Sequence, residues 1–114
     1  MDIEIKKYLY DIQESVSSIE NYLEVHLGQE RSFYAYMKNK MLRRAVEREF
    51  EIIGEAMTRI NKLNQHIPIS SKQHIIGMRN RVIHGYDKID DEIIWGTIVR
   101  HLSVLKNEID RLLE

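Results

Sequence analysis

The sequence contains no cysteine, one proline and one tryptophan, and aromatic residues make up only 8% of it. Because cysteine is absent, disulfide bonds and thiolate metal ligands are excluded, and a reducing compartment is compatible with the composition. No uncharged run is long enough to span a bilayer, and residues 1–7 lack the apolar core of a signal peptide. We therefore expect a soluble, cytoplasmic protein that does not associate with a membrane.

Hydrophobic residues make up 43% of the chain, and their spacing is typical of helices. A chain of 114 residues is the size of one domain, so a single domain over residues 1–114 is predicted. In three stretches apolar residues recur every three or four positions, and no strand-like alternation or internal repeat is present. These positions are Ile5, Leu9, Ile12, Val16, Ile19 and Leu23, then Leu42, Val46, Phe50, Ile53, Met57 and Ile60, and finally Ile94, Ile98, Leu102, Leu105, Ile109 and Leu112.

Helix boundaries are predicted from residues that cap or interrupt helices. Ser70-x-x-Gln73 resembles a capping box that opens a shorter third helix, after a connection containing Pro68. The first helix has a heptad-like apolar seam, which favours pairing of two bundles with two-fold symmetry. Together these patterns predict an all-α, antiparallel bundle of four to five helices. The other predicted boundaries are Gly28 at the end of the first helix, a start between Ser32 and Asn39 for the second, a connection from Asn61 to Ser71, and Asp90 as the cap of the last helix.

The net charge is −1, but the basic residues are concentrated in the middle of the chain. Residues 27–87 contain eleven basic residues against six acidic ones. Such a patch could attract a polyanion, although charged residues on helices more often form solvated faces. The basic residues concerned are Lys38, Lys40, Arg43, Arg44 and Arg48, and later Lys72, Arg79 and Arg81.

The most informative motif is Arg-x4-His-x-Tyr, formed by Arg79, His84 and Tyr86. In a chain of this composition an Arg-x4-His pair is expected by chance about 0.4 times, and the triplet about 0.02 times. The pair alone is therefore weak, whereas the triplet is moderately specific. It brings together a permanently cationic phosphate binder, a titratable imidazole and a phenol.

Helical geometry limits how these residues can meet. Five residues along an α-helix advance by about 500°, so Arg79 and His84 would point about 140° apart. They share a site only if the helix ends near His84, for which Gly85 is well suited, or if a second chain supplies one of them. Arg79 lies on the side of Ile75, which predicts a guanidinium partly screened from water and in need of an anionic partner. The alternative is a structural Arg–carboxylate pair beside a surface histidine.

The run Ile76-Gly77-Met78-Arg79-Asn80-Arg81-Val82-Ile83-His84-Gly85-Tyr86 resembles the motif of the HepT branch of the HEPN superfamily. These proteins are prokaryotic toxins encoded beside a minimal nucleotidyltransferase antitoxin. Ile53-Gly54-Glu55-Ala56 and the helix that contains Trp95 are also similar to that branch. The resemblance covers nearly the whole chain.

This resemblance implies an all-α HEPN fold, a homodimer and a metal-independent ribonuclease with its site at the dimer interface. Arg79 and His84 would be the catalytic pair, and Asn80 the polar residue that follows the arginine. With Arg81, Asn80 is a candidate for binding the RNA substrate. Tyr86 would be the residue that the nucleotidyltransferase antitoxin modifies with AMP.

RNA cleavage by these residues is chemically reasonable even without the family resemblance. The 2′-OH of RNA can attack its own neighbouring phosphate and leave a cyclic phosphate and a 5′-OH, with no metal or other cofactor required. A histidine of near-neutral pKa serves as acid or base, and a fixed guanidinium binds two phosphoryl oxygens. One His84 per chain does not easily serve both ends of this reaction, but a two-fold dimer would supply two.

The remaining candidates have plainer interpretations. Gly54 inside a helix is predicted to permit the close approach of another helix. Glu55 either orients Arg79 or is an ordinary solvated carboxylate. Packing is favoured over RNA stacking for the aromatic residues Phe33, Tyr34 and Tyr36. His26, His66, His74 and His101 lack metal-ligand spacing and are predicted to be ordinary surface or boundary residues.

Two classes of function remain. One is the ribonuclease toxin, and the other is a non-catalytic HEPN subunit that holds a nucleotidyltransferase and binds a nucleotide or RNA. The presence of Arg79, His84 and Tyr86 together favours the toxin.

Overall fold

A computed structural model describes the backbone of residues 1–83 and 90–114, and the side chains of residues 1–80 and 90–114. This part of the chain is helical and contains no strand, which confirms the predicted all-α class. His84, Gly85 and Tyr86 lie outside the described residues, as does the side chain of Arg81. The helices are α1 (Ile3–Leu27), α2 (Phe33–Lys38), α3 (Lys40–Leu63), α4 (Lys72–Ile83), α5 (Asp91–Arg100) and α6 (Leu102–Leu113).

The core lies between α1 and α3, which pack along each other, with α6 against α1 and α4 against α3. All six residues of the predicted seam on α1 are buried inside this bundle. That seam therefore serves the core of one chain and does not provide the surface for pairing two chains. The six predicted apolar positions on α3 are buried as well, and Ile75 and Met78 bring α4 into the same core.

The ends of α1 are set by its flanking residues. The Asp2 carboxylate accepts a hydrogen bond from the Glu4 backbone N–H at 2.7 Å, which satisfies a free donor of the first turn. At the other end Gly28 has a φ of 53°, a left-handed value that favours glycine. Its N–H donates to the Glu24 carbonyl at 3.0 Å. Gly28 thus ends the helix, as the sequence predicted.

The second predicted helix is two helices, because both of its candidate starting points are used. The Ser32 hydroxyl caps α2 by accepting from Ala35 N–H at 3.1 Å. The Asn39 side chain caps α3 by accepting from Leu42 N–H at 2.9 Å. Asn39 itself is extended, with φ −109° and ψ 92°, so the helix is interrupted there.

The connection before α4 is shorter than predicted, since α3 continues to Leu63. The predicted capping role of Ser70 is wrong. Its hydroxyl donates to the Glu108 carboxylate of α6 at 3.1 Å, and its backbone N–H donates to the same group. The Ser71 carbonyl accepts from Ile75 N–H at 3.0 Å, so α4 begins after Ser71.

The last predicted helix is divided at His101 into α5 and α6, although its apolar stripe stays in the core. Asp90 caps α5 as predicted, by accepting from Glu92 N–H at 2.8 Å. The breaks at Asn39 and His101 explain why the described residues form six helices where four to five were predicted. No helix within the described ranges combines the length and apolar character needed to cross a membrane.

Candidate active site

Arg79 lies near the end of α4, where that helix crosses the middle of α3 at Gly54. A Cβ atom added at position 54 would lie 2.7 Å from the Arg79 Cβ and 3.3 Å from its Cγ. Real Cβ atoms essentially never come within 3.0 Å of another heavy atom, so only glycine permits this approach. The prediction that Gly54 allows another helix to come close is confirmed. The neighbour is the aliphatic part of the Arg79 side chain.

Arg79 is partly buried, as predicted, and its guanidinium forms no ion pair with any described residue. Glu55 was the candidate for orienting it. Glu55 is exposed and lies 3.8 Å from Arg59, one turn along α3. This arrangement favours the interpretation of Glu55 as a solvated carboxylate over the one in which it orients Arg79. The guanidinium of a partly buried arginine without a protein carboxylate among the described residues is suited to bind an anion such as a phosphate.

The other motif residues are described only in part. Asn80 follows Arg79 on α4 and is exposed, so its amide can reach a ligand in solvent. Arg81 belongs to the same helix, but its side chain lies outside the described residues. His84 and Tyr86 come directly after α4 in the sequence, and their arrangement around Arg79 stays a prediction.

An ion pair marks the point where the described chain resumes after the motif. Arg43 of α3 donates to the Asp91 carboxylate at 3.5 Å, and both side chains are largely removed from solvent. Beside them the Tyr36 phenol is fully buried, and burial raises its pKa, with further raising contributions from the charges of Asp91 and Glu47. Arg43 was assigned to the basic patch. It instead neutralises a buried carboxylate and fixes the start of α5 against α3.

The aromatic side chains divide into a packed and an exposed group. Tyr36 and Phe33 pack against Trp95 of α5, with ring centroids 5.1 and 6.4 Å apart, which confirms the predicted packing role. Tyr34 is 66% exposed, and the Lys38 ammonium lies 4.0 Å from the centre of its ring.

Sequence reasoning missed a pair of histidines between α4 and α5. The rings of His74 and His101 contact each other at a tilt of 36°, with centroids 4.7 Å apart. The His74 Nε2 lies 2.7 Å from the Thr97 hydroxyl oxygen, which also lies 2.7 Å from the Ile93 carbonyl oxygen. The two histidines belong to different helices and are far apart in the sequence, so no local spacing could have predicted their contact.

Comparison with known proteins gives a consistent family. The family model described as "Ribonuclease HepT-like" matches residues 5–112. The chain is 32% identical to "Putative RNase MJ1380" of Methanocaldococcus jannaschii over 94% of both chains. It is also 32% identical to "Probable ribonuclease HepT" of Thermococcus cleftensis, again over 94% of both chains. "Putative RNase TTE0752" of Caldanaerobacter subterraneus is 35% identical over 73% of this chain and 75% of that protein. No solved structure gave a significant match.

Proposed function

The chain belongs to the HepT-like ribonuclease family, and from that premise we propose that it is the toxin of a prokaryotic toxin–antitoxin pair. In this proposal it is a metal-independent endoribonuclease that acts on RNA in the cytoplasm. Arg79 and His84 are its catalytic residues, and Asn80 and Arg81 help to bind the substrate. The partner that silences it is a minimal nucleotidyltransferase.

The observation that supports this proposal best is the environment of Arg79. Its stem is held against Gly54, and its guanidinium has no carboxylate partner among the described residues. A structural arginine in a partly buried position would be expected to have such a partner, because an unpaired buried charge is costly. This environment supports the proposal that the guanidinium binds an anionic ligand, and by the family resemblance we propose that the ligand is the RNA backbone.

The reaction needs proton transfer and stabilisation of negative charge. A base removes the proton of an RNA 2′-OH, the oxygen attacks the adjacent phosphorus, and the 5′-oxygen leaves with a proton from an acid. His84 serves as base or acid, depending on its protonation state, and typical general acid–base contributions are about 10² to 10⁴ in rate. Arg79 binds the phosphoryl oxygens with two parallel N–H donors and stabilises their growing charge.

Each chain supplies one His84, whereas the reaction needs both a base and an acid. A homodimer that brings two motifs into one cleft would provide two imidazoles and two guanidinium groups. We therefore propose that the active unit is a two-fold dimer.

The test of the reaction type is the chemistry of the products. Purified protein incubated with single-stranded RNA and excess EDTA should leave a cyclic phosphate on one fragment and a 5′-OH on the other. Mass spectrometry of the fragments distinguishes these ends from a 3′-OH and a 5′-phosphate. Cleavage that stops when EDTA is added would contradict the metal-independent mechanism.

Control by the partner enzyme is proposed to act through Tyr86. The Tyr86 phenol would attack the α-phosphate of ATP, form a phosphodiester to AMP and release pyrophosphate. The added phosphodiester carries a negative charge and an adenosine close to His84. The charge would occupy Arg79 in place of the substrate phosphate, and the adenosine would keep RNA out of the cleft.

Co-expression with the neighbouring nucleotidyltransferase tests this control. Wild-type protein should gain one or more AMP masses on the peptide containing Tyr86 and lose toxicity. Tyr86→Phe should gain no mass and stay toxic, whereas the control Tyr10→Phe, at an exposed position on α1, should behave as wild type. If Tyr86→Phe is silenced fully without added mass, silencing occurs by complex formation and the modification proposal is wrong.

A further inference from the structure

Two adjoining cavities lie between α4 and α5, with volumes of about 310 and 280 Å³. Both are lined by His74 and Ile93, so they adjoin each other at these two residues. We name the two together the α4–α5 groove and define it by His74, Gly77, Ile93, Gly96, Arg100 and His101. Its combined size is in the range of natural small-ligand sites.

Two glycines keep this groove open. Gly77 and Gly96 lie in the interiors of α4 and α5, where glycine costs helix stability relative to alanine. At Gly54 the loss of helix stability is explained by a contact within the chain, because the Arg79 side chain takes the space of a Cβ. A Cβ at Gly77 or Gly96 would meet no atom of another described residue within 4 Å, apart from its own neighbours along the helix. Packing among the described residues therefore does not require these two glycines, whereas close approach of another molecule would.

The groove presents groups that match a nucleotide. The His101 ring lies against the His74 ring at a tilt of 36°, and the His74 Nε2 lies 2.7 Å from the Thr97 hydroxyl oxygen. Flat rings of this kind are platforms for nucleobases. Arg100 is exposed and forms no ion pair with a described residue, which leaves its guanidinium able to bind a phosphate.

Carboxylates define the other end of the groove. Asp90 and Glu92 line the larger cavity together with Arg100. One Asp90 oxygen accepts from Glu92 N–H and caps α5. These carboxylates disfavour a phosphate at their end but accept hydrogen bonds from the amino groups of bases. A phosphate is therefore favoured at the Arg100 end of the groove, next to the His74–His101 pair.

The groove lies on a different face of α4 from the proposed catalytic arginine. Gly77 and Arg79 are two residues apart and so point about 160° away from each other. Along the helix axis Gly77 is about 9 Å from Ile83, the residue before His84. A ligand in the groove would therefore lie on the other side of α4 from Arg79 and would not occupy the proposed reaction centre.

We propose that the α4–α5 groove is an RNA subsite that holds a nucleotide of the bound strand away from the cleaved bond, with its base on the His74–His101 pair and a phosphate on Arg100. This inference rests on the proposed ribonuclease function. It adds three residues that determine substrate binding, and none of them belongs to the Arg-x4-His motif.

The test separates RNA binding from stability. In a His84→Ala background, which prevents cleavage, fluorescence anisotropy measures the affinity for a labelled single-stranded RNA at fixed salt. Gly96→Leu should raise the thermal unfolding midpoint, because leucine favours helix, and should weaken RNA binding by filling the groove. His101→Ala should weaken binding about tenfold, the effect of losing one stacked base. In the active background both changes should raise KM and leave kcat unchanged.

Matched controls are His26→Ala on α1 and Arg111→Ala on α6, both at exposed positions away from the groove. They should bind RNA as the parent protein does, whereas Arg100→Ala should bind more weakly. Light scattering of Gly96→Leu should give the same mass as the parent. A changed mass would identify the groove as an interface between copies of the chain and overturn the RNA subsite.

These experiments give different results if the subsite proposal is wrong and if the proposed ribonuclease function is wrong. If wild-type protein cleaves RNA while Gly96→Leu and His101→Ala match it in KM and affinity, the groove is not a subsite. If wild-type protein cleaves no RNA but the groove variants still weaken RNA binding, the ribonuclease proposal fails and the groove remains only an RNA-binding site. If the His84→Ala protein binds no RNA, the subsite proposal is wrong.

Discussion

At the scale of single residues, the contact between Gly54 and Arg79 connects packing to the proposed chemistry. Gly54 is buried in α3, and the Arg79 side chain takes the space where a Cβ would lie. The sequence predicted a close approach at Gly54 because an interior glycine weakens a helix. It could not show which residue approaches, since Gly54 and Arg79 belong to separate helices.

Gly54→Ala should separate α3 from α4 and displace Arg79. The added Cβ would lie 2.7 Å from the Arg79 Cβ, which is close to the backbone of α4 and cannot rotate away. Overpacking of this kind costs about 1 to 3 kcal/mol, from which the better helix propensity of alanine subtracts up to about 1 kcal/mol. Chemical denaturation and RNA cleavage should both show a loss.

Gly77→Ala on α4 is the matched control for stability, because its new Cβ would enter open space. It should unfold at the same or a higher denaturant concentration than wild type. If Gly54→Ala kept full stability and full cleavage, Arg79 would not depend on this contact.

At the scale of helices, apolar spacing predicted where helices lie better than where they end. The seams on α1 and α3 were predicted correctly because burial on one face imposes helical spacing on the sequence. The breaks at Asn39 and His101 were missed. Asn39 interrupts a helix by capping the next one, and Ser70 binds Glu108 on a distant helix. Such outcomes depend on side-chain hydrogen bonds that several nearby residues compete to form.

The ion pair between Arg43 and Asp91 ties α3 to the start of α5. Arg43→Met should leave the Asp91 carboxylate buried and unpaired, which costs about 3 kcal/mol in the free energy of unfolding. The control Arg48→Met breaks an exposed pair with Glu51 on α3 and should change stability by less than about 1 kcal/mol. Urea unfolding compares the two.

Replacing both partners, as Arg43→Met with Asp91→Leu, should recover most of the lost stability, since no charge is then left buried. If Arg43→Met alone were as stable as wild type, the pair would not hold α5 in place.

At the scale of the whole molecule, the all-α bundle was predictable, and the site was predictable only in part. The Arg-x4-His-x-Tyr motif is local in sequence, so spacing was enough to identify its members as candidates. The contacts of His74 with His101 and of Arg43 with Asp91 depend on how helices that are distant in the sequence pack together. The spacing of residues along the sequence does not specify that packing. The heptad-like seam of α1 was wrongly expected to pair two chains. It is buried within the core of one chain.

The proposed dimer has a direct test by subunit mixing. Light scattering should give a mass near twice 13.6 kDa. Arg79→Ala and His84→Ala proteins should each be inactive, and unfolding and refolding them together should restore some cleavage if one cleft uses residues of both chains. A strictly monomeric protein that cleaves RNA would contradict the composite site.

The central claim is that Arg79 and His84 cleave RNA. The most direct measurement compares initial cleavage rates of purified wild type, His84→Ala, Arg79→Lys and the control His26→Ala, with helicity checked by circular dichroism. We predict that His84→Ala loses about 10² to 10⁴ in rate, that Arg79→Lys is severely impaired because lysine lacks the two-pronged contact, and that His26→Ala is unchanged. Equal cleavage by wild type and His84→Ala would contradict the claim.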